Sequence, residues 1–310
     1  MKYLNLIRYP NLLLIALMQL VVYYGFLNFQ NIPLVLQPWQ YFLLILATVC
    51  ITAGGYIIND IFDQEADAIN KPEKKIVGTS ITESQAYNLY VGFTLTGVGI
   101  GFYLSRLIEH PNFVIVFILC SASLYLYATS WKGILLVKNI IVSLLLAFSI
   151  LIIGLFVLFP AITPYNKPQL LTAFSVLFDF SIIAFVINFL RELVKDLEDV
   201  KGDYNQGIQT LPIVLGINRT AKIVCGLTFI PIGMLLYYTY VNLFELLYAT
   251  LYILLAIIGP LLYFSIKMAW ASQKKEFKHL SQVLRLVIFL GILAIGVIGL
   301  NMYYYATQQV

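Results

Sequence analysis

Residues 43–67 read LLILATVCITAGGYIINDIFDQEAD, a predominantly apolar run that stops at Asn59 and gives way to four acids, Asp60, Asp63, Glu65 and Asp67. The apolar part suits a helix crossing a hydrocarbon layer, which takes roughly 20 residues to span about 30 Å. At about 100° per residue, Asp60, Asp63 and Asp67 share one helical face while Glu65 points away. A second stretch, RELVKDLEDVKGD over 191–203, repeats the spacing with Asp196, Asp199 and Asp203. Glu192 precedes Asp196 by one turn on the same face, and Glu198 turns away from it. Two helix ends therefore each aim a set of acids one way.

Outward from these stretches, the 310 residues are 61% hydrophobic and only 11% charged, too apolar for a domain with a charged, water-facing surface. Nine apolar stretches suggest an all-α polytopic membrane protein with nine transmembrane helices: 11–29, 39–59, 84–105, 113–130, 134–159, 170–190, 220–241, 246–268 and 284–306. The polar segments between them are too short for a separate core, so residues 1–310 are expected to form a single membrane domain. With the N-terminus in the cytoplasm, seventeen of the nineteen Lys and Arg fall on that side, leaving Arg106 and Lys167 for the other. Both acidic motifs are then expected on cytoplasmic loops and the C-terminus on the opposite face. Sorted in this way, the net charge of +4 is no sign of nucleic-acid binding.

Cys50, Cys120 and Cys225 lie in apolar spans with no CxxC pair, and His110 and His279 sit in separate loops. A Cys/His metal site or a Ser-His-Asp triad therefore has nothing to be built from. Eleven of the fifteen acids lie in the two polar segments 60–83 and 191–219 that contain these motifs. Crowded carboxylates repel unless their pKa values rise or a cation relieves them. Sparse Asp oxygens suit Mg²⁺, which takes one or two carboxylates and completes its shell with water and phosphate oxygens. Lys71, Lys132, Lys138, Arg191 and Lys195 accompany the clusters and can bind the phosphate oxygens of a departing diphosphate. Asn11 is a polar group at membrane depth, where such groups are costly and often functional. Spans 3, 4, 5 and 9 carry no acid relay, which argues against a divalent-cation transporter.

The pattern Asn59-Asp60-x-x-Asp63-x-x-x-Asp67, with Asp199-x-x-x-Asp203, resembles the UbiA superfamily of intramembrane prenyltransferases. Arg8-Tyr9-Pro10-Asn11, Ile69-Asn70-Lys71-Pro72 and Lys138-Asn139 add to the resemblance. It implies helices around a central cavity and Mg²⁺-dependent transfer of a polyprenyl group from a prenyl diphosphate donor to a lipophilic acceptor. Carried over by position, Asn59, Asp63 and Asp67 would face one side of the Mg²⁺-diphosphate and Asp199 and Asp203 the other, with Asp60 and Asp196 in support. The run 191–203 followed by Thr210-Leu211-Pro212-Ile213 is similar to the digeranylgeranylglyceryl phosphate synthase-like branch. That likeness points to geranylgeranylglyceryl phosphate, with an aromatic acceptor as the alternative. A glycerol hydroxyl must lose its proton as it attacks, and Glu192 or Asp196 is placed to accept it.

Overall fold

The structure is a computed structural model that describes residues 1–30, 32–65, 68, 75–205 and 207–308. Among these residues the chain is helical, and the only extended pairing is a single bridge between Val77 and Ile81. The long helices are α1 (Tyr9–Gly25), α2 (Pro38–Phe62), α3 (Glu83–Leu107), α4 (Val114–Thr129) and α5 (Val137–Ile153). They continue with α6 (Lys167–Asn205), α7 (Ile217–Leu243), α8 (Leu247–Met268) and α9 (Lys274–Gln308).

By length and composition, eight described helical segments can cross a membrane, making this an integral multi-pass membrane protein. The expected span at 84–105 forms as the 25-residue α3 but is not one of the eight. Glu83, Gln85, Asn88, Thr94, Thr96 and Arg106 dilute its hydropathy. Thr82 and Gln85 form a capping box at its start, each side chain meeting the other's backbone N–H at 3.3 Å.

One expectation is corrected. The second acidic motif does not lie on a loop, because α6 runs unbroken for 39 residues, about 58 Å at 1.5 Å per residue. The cause is local: between Arg191 and Lys201 there is neither Gly nor Pro, and Leu, Glu and Lys are strong helix formers. The helix stops only near Gly207, whose φ of +68° is left-handed. The first motif is likewise helical through Phe62, with Asp63 as the C-cap residue.

α2 packs against α1, α3 and α4; α5 against α6; and α6 against α7 and α9. α9 also meets α1, closing the bundle between the first and last long helices. That closure needs glycine, since a Cβ on Gly299 would sit 2.0 Å from the Gly25 carbonyl oxygen. Small residues also let α2 and α3 approach, where a Cβ on Gly97 would lie 2.6 Å from the Ile51 side chain. Buried Gln19 ties three helices, its Nε2 donating to Thr48 Oγ1 at 3.2 Å and to the Ser149 carbonyl at 3.1 Å. A small satellite core of Leu6, Ile57, Ile58, Ile61, Val77 and Ile81 pins the N-terminal segment and the 76–82 loop to the end of α2. It therefore sets the position of Asp60 and Asp63.

Candidate active site

At the end of α2, Asp60 accepts from the Arg8 guanidinium at 2.7 Å. Arg8 also lies over the Tyr56 ring at 4.9 Å, and the Tyr56 hydroxyl accepts from Asn11 Nδ2 at 3.2 Å. Asn11 thus meets the first motif through Tyr56. One turn on, Asp63 accepts from Asn59 Nδ2 at 2.7 Å and pairs with Lys132, from the short segment between α4 and α5. Asp67 and Lys71 lie outside the described residues.

On α6, Asp196 is held from two sides by α5, with Lys138 Nζ at 2.8 Å and Asn139 Nδ2 at 2.9 Å. The same ammonium reaches Asp203 at 3.4 Å. Asp199 stands between these two acids along the helix, partly buried. Glu192 accepts from Lys195 at 2.5 Å, and its carboxylate lies 3.6 Å from Arg191 Nη1. The side chains of Asp63, Lys132, Lys138, Asp196 and Asp203 are only 7–21% exposed. Acids at this burial are tolerated because each is paired and hydrogen-bonded. The repulsion expected among the carboxylates is relieved by lysine and arginine from neighbouring segments.

The two clusters are close enough for single side chains to feel both. The Tyr127 hydroxyl, near the end of α4, lies in the fields of Glu192, Asp63, Arg8 and Asp196 together. Lys195 of α6 is within electrostatic reach of Arg8. The sequence groups Tyr127 with Tyr56 and Tyr125 as tyrosines near helix ends that could face a passing cation, and only the packing of α4 against α2 distinguishes it. Ser143 also went unremarked; it accepts from the buried Asn188 at 3.3 Å and extends the polar seam between α5 and α6.

The donor set fits a hard cation. Asn59 Oδ1 is buried and has no hydrogen-bond partner among the described residues, although the amide nitrogen of the same side chain is engaged with Asp63. Among the described residues no three His, Cys, Asp or Glu side chains converge as a closed metal cage. An ion here would rest on few protein oxygens and complete its shell from phosphate and water, as Mg²⁺ does.

Fold and site together define a multi-pass membrane enzyme that gathers carboxylates and cations at one end of a helical bundle. The chain matches the UbiA prenyltransferase family over residues 20–290 and belongs to that family. It is 35% identical over 173 residues to a digeranylgeranylglyceryl phosphate synthase of Methanopyrus kandleri, a match spanning 56% of each chain. It is 34% identical over 231 residues to the enzyme of that name from Sulfolobus acidocaldarius, covering 73% of this chain and 74% of that one. The fold is that of a UbiA homologue from Archaeoglobus fulgidus solved with DMAPP and Mg²⁺, at a TM-score of 0.62 and 16% identity, covering 95% of this chain and 99% of that one.

Proposed function

We propose that this protein, as one membrane domain, transfers a polyprenyl group from a prenyl diphosphate to a lipophilic acceptor, with geranylgeranylglyceryl phosphate as the acceptor. The observation that carries the reading is the pairing of two acid clusters with Lys132 and Lys138, the first of them holding an Asn59 Oδ1 that has no hydrogen-bond partner among the described residues. The names of the relatives support the choice of acceptor.

Asn59, Asp63 and Asp67 on one side, and Asp199 and Asp203 on the other, are the oxygens to hold Mg²⁺, with Asp60 in support. When bound, Mg²⁺ supplies Lewis-acid stabilisation of the charge that builds on the leaving diphosphate. Lys132 and Lys138 exchange their carboxylate partners for diphosphate oxygens and stabilise the same charge as the allylic C–O bond breaks. The apolar helices around the site keep water from the electron-deficient prenyl C1, leaving it to the acceptor hydroxyl. Glu192 or Asp196 takes the hydroxyl proton as the new C–O bond forms. The loops flanking the site carry most of the basic residues, and their side is the cytoplasmic one, with the C-terminus opposite.

The test is incubation of detergent-purified protein with Mg²⁺, radiolabelled geranylgeranyl diphosphate and geranylgeranylglyceryl phosphate. The expected result is a labelled lipid whose formation stops with a chelator and in the double variant Asp63→Ala, Asp203→Ala. Transfer at the unmodified rate in that variant rules out the metal-diphosphate role; product with an aromatic acid alone rules out the lipid acceptor.

A further inference from the structure

The charged face of α6 has two flanks. Asp196 turns toward α5, where Lys138 and Asn139 hold it. Arg191, five residues earlier, projects about 140° around the helix. It lies within electrostatic reach of Arg285 on α9, the helix that packs along this side of α6.

The Arg191 side chain is 12% exposed, and its Nε is buried without a hydrogen-bond partner among the described residues. Its 3.6 Å approach to Glu192 is too long for a hydrogen bond, and Lys195 holds that carboxylate more closely at 2.5 Å. The charges around this flank are Arg191, Lys195 and Arg285 against Glu192 and Glu198, with Arg8 close by but committed to Asp60. Two guanidinium groups on adjacent helices repel each other, and one of them keeps a donor unused. A tetrahedral anion between them would relieve the repulsion and take up the free N–H in fork geometry.

We propose that Arg191 and Arg285, assisted by Lys195, bind the phosphate of the acceptor lipid, while the Lys132 and Lys138 flank receives the diphosphate of the donor. This rests on the acceptor carrying a phosphate, as proposed above. The two substrates are both polyanions, and a single cationic patch would let each displace the other. Separate flanks of one helix remove that competition. Anchoring the acceptor phosphate on the α9 side also leaves its hydroxyl free to approach the prenyl C1 from the side away from the diphosphate.

Arg285 is exposed and carries no core packing, so Arg285→Ala tests the site without threatening the fold. The expected result is a rise of about tenfold in KM for geranylgeranylglyceryl phosphate, with the donor KM changed by less than about twofold and partial recovery in Arg285→Lys. An equal or larger rise in the donor KM overturns the proposal, since the flank would then serve the diphosphate. A second measurement, binding of radiolabelled geranylgeranylglyceryl phosphate to nanodisc-embedded protein without donor, separates this idea from the proposed reaction. If the unmodified protein forms no product from this acceptor, the proposed function fails while the binding still decides the site. Binding that is lost in Arg285→Ala and Arg191→Lys upholds the anion site; absent or unaltered binding overturns it.

Discussion

Lys138 is the side chain on which the second acidic cluster turns, because one ammonium serves both Asp196 and Asp203. Lys138→Met removes the ammonium that Asp196 and Asp203 share, and with Asp196 buried the loss is on the order of 3 kcal/mol. The expected outcome is a clear drop in thermal stability of the purified protein and loss of most activity, with Lys138→Arg restoring stability more than rate. An unchanged melting temperature in Lys138→Met would show that the pair contributes nothing to the fold. Tyr56 separates two contributions at the other cluster. Tyr56→Phe removes only the hydrogen bond from Asn11 and keeps the ring beneath Arg8, whereas Tyr56→Ala removes both. Activity is expected to fall several-fold further in the alanine variant, by about 1 kcal/mol of lost cation–π contact. Equal activities in the two variants would place the whole effect on the hydroxyl.

Among the elements, α1 and α9 depend on the glycine contact that joins them. Gly299→Ala puts a methyl group where the Gly25 carbonyl stands, and backbone cannot swing aside as a side chain can. The helices must separate, at a cost of about 2 kcal/mol. The check is the melting temperature in detergent, which is expected to fall; a variant as stable as the parent would mean that the two helices are not packed this closely. Gly233 makes a fair control, since nothing lies within 4 Å of its added Cβ. α6 shows how an element shapes the chemistry. Because the helix runs unbroken to Asn205, Arg191, Glu192, Lys195, Asp196, Asp199 and Asp203 keep helical register, and their division into an α5 flank and an α9 flank follows from that register.

For the whole molecule, the sorting of basic residues predicts sidedness. With Cys50, Cys120 and Cys225 replaced by alanine, single cysteines at Lys201→Cys and Lys275→Cys are expected to react with a membrane-impermeant maleimide from one side. Lys167→Cys is expected to react only from the other. Reaction of 201 and 275 from opposite sides would overturn the topology. Much of this was legible along the chain: the membrane class, the acid motifs at two helix ends, and the basic residues that accompany them. The loop assignment of the second motif was not, because a run of charged residues beyond an apolar span reads as solvated chain unless the helix is seen to continue. Nor were the partners: no local pattern couples Asp60 to Arg8, Asp63 to Lys132 or Asp196 to Asn139, contacts that join segments 52, 69 and 57 residues apart.

What the sequence determined by itself follows from short-range physics. Apolar length, helical periodicity and charge sorting act within a few turns, and they decide that the chain lives in a membrane, which stretches form its long helices and which acids share a face. What the tertiary structure alone decided is which cation answers each acid, that Tyr127 faces both clusters, and that Arg191 keeps an unused donor beside Arg285. Those depend on how helices far apart in the chain are rotated and spaced against one another. That arrangement is set by close packing of many small contacts such as Gly25 on Gly299, and no local stretch of residues encodes it.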